Sequence, residues 1–445
     1  EIEQRLDKEL TNQIPASFSG PDELISIVNK IQTSLEVDYQ GLFVDRLISF
    51  KRKIHAFGFH FASLDIRQDS RVLAKTLEEV LKTHPPILHP DFEDYSEDKK
   101  IEALFAIENK LNLELIKDPV YLDTLNSLKE MKKIQEENGE LACHRYIISN
   151  CRGPLDIARL IALFKLSGWN LKELSVDIVP LFETIKDLKN AAKSMDGLYC
   201  LTEYRNHLNS RKNRQVIMLG FSDGTKDGGY LMANWSIYRA KEDITRVSRE
   251  NNIEVCFFDG RGGPPARGGG STYKFYAALG KTIESNQIQL TVQGQTISSY
   301  YGTQIGAAHN LRQLLAAGLE NNLYERPERE LNSQQRDLLE ELAENAYEKY
   351  KDFKSHPLFL KYLEEMSTLN YYSQSNIGSR PSKRGNDKEL NFEDLRAIPF
   401  VGAWGQLKQN VPGYFGLGSA LKSLEKQGRI EECINLYEQS GFFRA

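Results

Sequence analysis

Short apolar runs alternate with longer amphipathic segments through the middle of the chain. The runs occupy residues 146–149, 176–182, 215–221, 254–258 and 288–292, and segments of helical length follow at 154–167, 184–195, 228–250 and 272–283. Alternation of this kind is typical of a parallel sheet whose strands are joined by helical crossovers. The pattern therefore predicts an α/β fold.

The flanking segments add one strand and several helices to this prediction. We expect the first fifty residues to be helical, a strand at about 57–66 that delivers Asp65, Arg67 and Gln68 at its carboxyl end, and two amphipathic helices within 98–137. Later in the chain, apolar residues at helical spacing predict a packing stripe on a helix within 327–353: Leu338, Leu339, Leu342, Ala346 and Tyr350. Residues 376–406 begin as a Gly-, Ser- and Pro-rich loop, and the segment from Pro399 to Trp404 should re-enter the core.

At least six strand candidates lie between residues 57 and 293, and this number favours a closed barrel. We predict an eight-stranded parallel barrel of the TIM type with a predominantly helical surround. An open, doubly wound sheet also binds ligands at the carboxyl ends of its strands, so it stays as the alternative. The expected organisation is a helical lead-in at 1–50, barrel strands and crossovers at 51–302, and a helical region at 303–445 that carries an active-site loop at 376–400.

Composition narrows the class of protein without identifying it. The 445 residues are 40% hydrophobic and 27% charged with a net charge of −5, which is typical of a soluble globular protein and gives no general attraction to nucleic acid. The sequence has no apolar run long enough to predict a membrane span. Five cysteines without C-x-x-C spacing predict free thiols in a reducing compartment, and the eight scattered histidines do not suggest a zinc site.

Polar residues cluster where the predicted strands end. Glu183 and Asp223 each follow an apolar run, and two carboxylates that meet at one barrel mouth form a hard-oxygen site suited to Mg²⁺ or Mn²⁺. Each carboxylate could equally be a salt-bridged loop residue. The segment from Ser222 to Gly229 could add backbone donors at a helix N-terminus, with Lys226 as a further cation.

A glycine-rich loop at residues 257–272, FFDGRGGPPARGGGST, directly follows one apolar run. Glycines allow the backbone to approach a ligand closely, and arginines are suited to carboxylate or phosphate. The loop could instead be a flexible turn with solvated arginines. Arginines near the same predicted face suggest a multiply charged substrate such as a phosphorylated acid: Arg67, Arg261, Arg267, Arg380 and Arg396.

Several motifs, in this order, resemble those of phosphoenolpyruvate carboxylases. They are GFHFASLDIRQDS (58–70), VPLFETIKDL (179–188), MLGFSDGTKDGG (218–229), FDGRGGPPARGGG (258–270), TVQGQ (291–295), GSRPSKR (378–384) and LRAIPF (395–400). The resemblance implies a lyase that supplies the tricarboxylic acid cycle. It also implies that the enzyme is a cytoplasmic homotetramer under allosteric control. Its reaction would be the metal-dependent carboxylation of phosphoenolpyruvate by bicarbonate to oxaloacetate and phosphate.

The resemblance also implies roles for individual residues. Glu183 and Asp223 match the ligands of Mg²⁺ or Mn²⁺. Arg67, Arg261 and Arg396, with Gln293, match substrate-binding positions, and Arg261, Arg267, Arg380 and Lys226 match catalytic ones. Arg267 also falls where the family contacts a dicarboxylate inhibitor.

Two departures from the family pattern shape the functional hypothesis. Asp259 stands where the glycine loop usually begins with histidine, and the family's Ala-His-Pro-Thr motif, which carries the catalytic histidine, does not occur in the sequence. We therefore expect this chain to be an interior and C-terminal-side portion of a longer enzyme, or a divergent form, and to be inactive alone. The alternatives are another barrel enzyme that forms the enolate of pyruvate and a non-catalytic anion-binding module.

Overall fold

The computed structural model describes residue 18 and residues 20–84, 87–108, 115–262, 268–292, 295–324, 330–372, 390–392 and 395–445. These residues contain six strands: β1 Asp65–Asp69, β2 Arg145–Ser149, β3 Asp177–Phe182, β4 Arg214–Gly220, β5 Glu254–Gly260 and β6 Ile288–Leu290. They form one parallel sheet in which the strand order follows the sequence, β1-β2-β3-β4-β5-β6. The α/β class is confirmed, whereas eight strands are not seen in the described part of the chain.

Helices make up most of the remaining described structure. Those before and between the strands are α1 Pro21–Val37, α2 Val44–Phe57, α3 Ser70–Thr83, α4 Glu97–Phe105, α5 Pro119–Asn138, α6 Pro154–Leu166, α7 Ile185–Tyr199, α8 Thr202–Ser210, α9 Phe221–Gly228, α10 Tyr230–Glu250 and α11 Thr272–Ala277. Those after β6 are α12 Gln295–Tyr301, α13 Gln304–Leu323, α14 Ser333–Lys354, α15 Phe359–Glu365, α16 Leu369–Tyr372, α17 Ala397–Gln406, α18 Leu417–Lys426, α19 Ile430–Gln439 and α20 Gly441–Arg444. Short 3-10 turns occur at Pro90–Asp94, Glu140–Ala142 and Leu171–Glu173. No helix of the described residues is long and apolar enough to cross a bilayer.

The two faces of the sheet pack differently. One face of the central strands joins the large core that the helices form, through residues such as Ile148, Phe182 and Ile217. The other face forms a separate buried cluster made only of strand residues: Ile147, Val179, Leu181, Val216, Met218, Cys256 and Phe258. Burial on both faces explains why these strands appear in the sequence as nearly continuous apolar runs.

The predicted strand at 57–66 is wrong in its position. Helix α2 extends to Phe57, Gly58 ends it with φ 52°, and the strand begins only at Asp65. The aromatic residues that suggested a strand lie in the turn, where Phe61 has φ 60°. β1 pairs only with β2 among the described strands, so its polar sequence DIRQD suits an edge position. Arg67 consequently lies within the strand, not past its end.

The segment after β4 also differs from its prediction. The sequence predicts a strand that reaches residue 221 and a helix from about residue 228, but α9 begins directly at Phe221 and α10 follows at Tyr230. Asp223 therefore lies in the first turn of a helix. Among the other predictions, the stripe on α14 and the segment from Pro399 to Trp404 are buried, as expected.

Candidate active site

The side chain of Arg67, in the middle of β1, reaches Glu183, just past the carboxyl end of β3. The Arg67 Nη2 atom donates to Glu183 Oε1 at 3.0 Å, across the intervening strand β2. The backbone N–H of Asn150, just past β2, donates to Glu183 Oε2 at 2.7 Å. Glu183 is 4% exposed. Three consecutive strands thus fix one buried carboxylate whose charge an arginine and an amide dipole stabilise.

Two glycines allow α9 to lie close against Glu183. A Cβ atom on Gly220 would lie 3.1 Å from Glu183 Cγ, and one on Gly224 would lie 3.5 Å from the Glu183 carbonyl oxygen. The first of these contacts is tighter than most real Cβ contacts, so a larger residue at position 220 would push the helix away. The helix carries Asp223, which is half-buried and makes no hydrogen bond or ion pair with any described residue.

These residues suit a hard divalent cation. Mg²⁺ is usually held in proteins by one or two carboxylates, and water and substrate oxygens complete its octahedron. Glu183 and Asp223 offer such a pair on adjoining elements, and Gly220 and Gly224 keep the space between the elements narrow. The described residues contain no cluster of three or more His, Cys, Asp or Glu side chains that could hold a metal by themselves. The donor set therefore fits Mg²⁺ or Mn²⁺ that is completed by a ligand.

Arg261 directly follows β5 and is largely buried. Its Nε atom donates to the Gly268 carbonyl oxygen at 2.6 Å, and its guanidinium carbon lies 4.3 Å from the centroid of the Phe275 ring. Neither terminal nitrogen has a hydrogen-bond partner among the described residues. A planar cation held at Nε and stacked on an aromatic ring is preorganised to bind an anion through its two terminal nitrogens.

Lys226 lies one turn after Asp223 on α9. Its Nζ atom donates to the carbonyl oxygens of Phe392 at 2.8 Å and Leu395 at 2.6 Å, and it lies 4.7 Å from the centroid of the Phe392 ring. Arg396 is the next residue along the chain and the N-cap of α17. Helix α9 therefore carries Asp223 and, through Lys226, holds the segment that delivers Arg396.

Sequence reasoning missed one buried cluster at this end of the sheet. Asp259 on β5 is fully buried, and the Lys241 Nζ atom from α10 lies 2.8 Å from its carboxylate. The Tyr276 hydroxyl donates to Asp259 Oδ2 at 2.7 Å. Burial lowers the pKa of the Lys241 ammonium, and the Asp259 charge opposes that shift. The sequence contained one sign of this cluster: Lys241 lies at helical spacing from the apolar residues Ile237, Tyr238 and Ile244, which indicates a buried lysine that needs a partner.

Three predicted site residues, Arg267, Arg380 and Gln293, lie outside the described residues. Their roles stay predictions, as do the catalytic and binding roles of the other residues. The structure places Glu183, Asp223 and Arg261 just past the carboxyl ends of neighbouring strands, and the Arg67 side chain reaches Glu183 from within β1.

The opposite end of the strands carries a closed charge network. Asp177, at the start of β3, accepts from Arg211 Nε at 2.7 Å and from Arg214 Nη2 at 3.4 Å. At β1 and β2, Arg145 Nε donates to Asp65 Oδ1 at 2.6 Å. Burial, reinforced by the Arg211 charge, lowers the pKa of the neighbouring His207 to about 4.

The described residues form an α/β protein whose parallel sheet carries arginines and carboxylates at the carboxyl ends of its strands, which is where α/β proteins commonly bind ligands. The sequence matches the family model of phosphoenolpyruvate carboxylase over residues 2–445. The chain belongs to the phosphoenolpyruvate carboxylase family.

Curated relatives support this assignment. A phosphoenolpyruvate carboxylase of Nocardia farcinica is 34% identical over 96% of this chain and 48% of its own length. The Mycobacterium leprae relative of the same name is 34% identical over 99% of this chain and 49% of its own length. One from Nitrosomonas eutropha is 34% identical over 88% of this chain and 44% of its own length. The chain thus spans about half the length of the curated relatives it matches.

Proposed function

We propose that the protein of which this chain forms part carboxylates phosphoenolpyruvate with bicarbonate, giving oxaloacetate and inorganic phosphate. The observation that carries the proposal is that Glu183, Asp223 and Arg261 follow the carboxyl ends of neighbouring strands and that Arg67 pairs with Glu183 there. Family membership supplies the substrate class. The sequential strand order and the cluster made only of strand residues support a sheet that curves toward a barrel, with this end as its mouth.

Glu183 and Asp223 would hold Mg²⁺ or Mn²⁺ in this proposal. The cation would supply electrostatic stabilisation of the negative charge that develops on the enolate oxygen. Gly220 and Gly224 matter because they let the two carboxylates lie on adjoining elements.

The arginines would bind and orient the phosphoryl group. Arg261 offers its two terminal nitrogens, and Arg396 approaches on the segment that Lys226 holds. Bicarbonate oxygen attacks phosphorus, the bond between phosphorus and the enol oxygen breaks, and carboxyphosphate and the enolate of pyruvate result. Carboxyphosphate then separates into CO₂ and phosphate, and the enolate carbon attacks CO₂ to form oxaloacetate. Water destroys both intermediates, so the glycine loop would have to exclude it, with Arg267, Arg380 and Gln293 in their predicted roles.

Calorimetric titration of the chain with phosphoenolpyruvate, with and without Mn²⁺, tests this proposal. We expect binding that depends on Mn²⁺, without oxaloacetate formation by the isolated chain, because the Ala-His-Pro-Thr motif is not in its sequence. Bicarbonate-dependent turnover by the chain alone would refute the expected inactivity. Absence of binding would instead favour a non-catalytic scaffold.

The proposed setting is a cytoplasmic homotetramer that a dicarboxylate inhibits. All five cysteines are free thiols, and four are buried, which suits a reducing compartment.

A further inference from the structure

We propose that the buried Lys241–Asp259 ion pair, together with Tyr276, positions Arg261 and both ends of the glycine loop at the carboxyl ends of the strands. In this protein, Asp259 would act as a positioning residue and not as a group that contacts substrate. The inference rests on the proposed function in one respect, namely that Arg261 binds the phosphoryl group.

The contacts of Asp259 leave it turned toward the protein interior. The side chain is 0% exposed, and Lys241, its ionic partner, is 1% exposed. Lys241 Nζ lies 2.8 Å from each carboxylate oxygen, and the Tyr276 hydroxyl donates to Oδ2 at 2.7 Å. The ammonium and the hydroxyl thus both contact the carboxylate from inside the protein. Its partners hold it inside the protein, so it is not placed to receive a substrate.

The same aromatic residues serve the ion pair and Arg261. Lys241 Nζ lies 5.1 Å from the centroid of the Phe257 ring, 5.4 Å from that of Phe275 and 5.7 Å from that of Tyr276. The Arg261 guanidinium carbon lies 4.3 Å from the Phe275 centroid. Two cations therefore share the Phe275 ring, and displacement of one changes the surface on which the other rests.

The chain itself carries the effect from Asp259 to the loop. The Asp259 carbonyl oxygen accepts from the Arg261 backbone N–H at 2.9 Å and from the Thr291 N–H at 3.0 Å. Arg261 Nε then donates to the carbonyl oxygen of Gly268, on the far side of the loop. The ion pair thus fixes the chain at Asp259, where the loop leaves β5. Arg261 then links this end of the loop to Gly268 at its other end.

The returning end contacts the helix of the candidate metal ligand. Gly268 has φ 80°, and a Cβ atom there would lie 2.6 Å from Phe221 Cβ, so only glycine fits without displacement. Phe221 is the first residue of α9, which carries Asp223. A shift of the ion pair would therefore reach both the arginine and the helix of Asp223.

A contribution to stability alone does not explain why a buried ion pair, and not a pair of uncharged residues, stands at this position. Apolar residues of similar volume often replace a buried ion pair without loss of stability, whereas removal of one partner leaves an uncompensated buried charge. Lys241 lies on a buried helix face whose other members carry no charge, so an uncharged residue would be the ordinary choice there. The geometry points to a requirement for orientation at the end of β5.

The decisive variants separate orientation from stability. Lys241→Met and Asp259→Asn each leave one buried charge unpaired and could fail to fold, so the principal variant is the double substitution Lys241→Met/Asp259→Asn, which removes both charges. Arg336→Met is the matched control, because Arg336 Nη2 pairs at 2.8 Å with Glu242, the neighbour of Lys241, away from Asp259. The melting temperature, the Kd for phosphoenolpyruvate with Mn²⁺ and hydrogen exchange of residues 254–262 and 268–276 are measured for each protein.

We expect the double variant to melt within about 3 °C of the wild type and yet to bind phosphoenolpyruvate about 10-fold or more weakly. Adding Arg261→Ala to it should weaken binding no further than Arg261→Ala does alone, because the two act through one group. Exchange should accelerate in both segments and stay unchanged in β3. The Arg336→Met control should show none of these effects on binding or exchange.

Two results would overturn the inference. One is a double variant with wild-type Kd, and the other is unchanged exchange in residues 268–276. If the wild-type chain binds no phosphoenolpyruvate, the proposed function of the isolated chain fails, and the exchange measurement alone decides the inference. Faster exchange at both ends of the loop would then still support it.

Discussion

At the amino ends of the strands Asp177 lies between Arg211 and Arg214, whereas at the carboxyl ends Asp223 makes no ion pair with any described residue. Asp177 is 5% exposed, and its partners come from the end of α8 and the start of β4. Asp223 is half-buried on the first turn of α9. The acid at one end is therefore neutralised within the fold, and the acid at the other end keeps its capacity to bind a cation.

This difference separates stability from function along the same strands. Substitution of a buried carboxylate that is held by two arginines is destabilising, because removal of one charged partner leaves the opposite charge buried without compensation. A carboxylate without a protein partner adds little to folding and keeps its lone pairs for a ligand. Substitutions at the two ends should therefore alter different measurements.

The largest expected effect on stability comes from Asp177→Ala. The substitution leaves Arg211 and Arg214 without their shared carboxylate, so we expect the free energy of unfolding in urea to fall by about 3–5 kcal/mol. The control is Glu250→Ala, which breaks an exposed pair with Arg246 and should cost less than about 0.5 kcal/mol. A loss below about 1 kcal/mol at Asp177 would mean that solvent already screens the network.

The next largest effect is a loss of stability at acid pH that is caused by His207, near the amino ends of the strands. His207 is 2% exposed, and burial followed by the Arg211 charge lowers its pKa to about 4, against about 6.5 in the unfolded chain. Between these values the unfolded state binds more protons, so stability should decline as the pH falls from about 6.5 to about 4, by up to about 3 kcal/mol. Above pH 6.5 the group should contribute no pH dependence.

His207→Leu tests the origin of that decline. Its Nδ1 atom has no hydrogen-bond partner among the described residues, so an apolar replacement should fold and lose this component of the pH dependence. Urea unfolding at pH 7 and pH 5 measures the difference, and His55→Gln on the exposed side of α2 is the control. An equal decline in the wild type and His207→Leu would assign it to other groups.

The sequence predicted the buried interior strands correctly and misplaced the polar strand β1. The interior strands β2 to β5 were predicted because both of their faces are buried, which makes them apolar throughout. β1 was misplaced because its sequence is polar, with a partner on only one side among the described strands, and because the aromatic residues before it belong to a turn that follows α2.

Polar residues that follow a strand were found, and polar residues that pair inside the fold were missed. Glu183 stood out because it directly follows the apolar run of β3. The pairs of Asp177 with Arg211 and of Lys241 with Asp259 join residues that are 34 and 18 positions apart, so their meeting depends on how helices pack on the sheet. No local pattern in a single sequence contains that information.

Asp223→Asn should affect binding and leave stability almost unchanged. Because the side chain has no described protein partner, we expect the free energy of unfolding to change by less than about 0.5 kcal/mol. Calorimetry should show a loss of Mn²⁺-dependent phosphoenolpyruvate binding of about 100-fold, equivalent to about 2.7 kcal/mol. Asp98→Asn, in the exposed first turn of α4, should change neither quantity. Retention of Mn²⁺-dependent binding by Asp223→Asn would remove Asp223 from the candidate metal site.

Lys226→Met should give the smallest effect on binding. It tests whether Lys226 holds the segment before Arg396 in place or contacts the substrate directly. Its ammonium donates to the carbonyl oxygens of Phe392 and Leu395, so its loss should release the segment before Arg396 and weaken phosphoenolpyruvate binding by about 3- to 10-fold. The affinity for Mn²⁺ alone should stay unchanged, because the carboxylates of Glu183 and Asp223 are intact. Lys351→Met, on the exposed side of α14, is the matched control. A loss as large as that of Asp223→Asn would instead mean that Lys226 contacts the substrate directly, which is the catalytic role that the family resemblance implies.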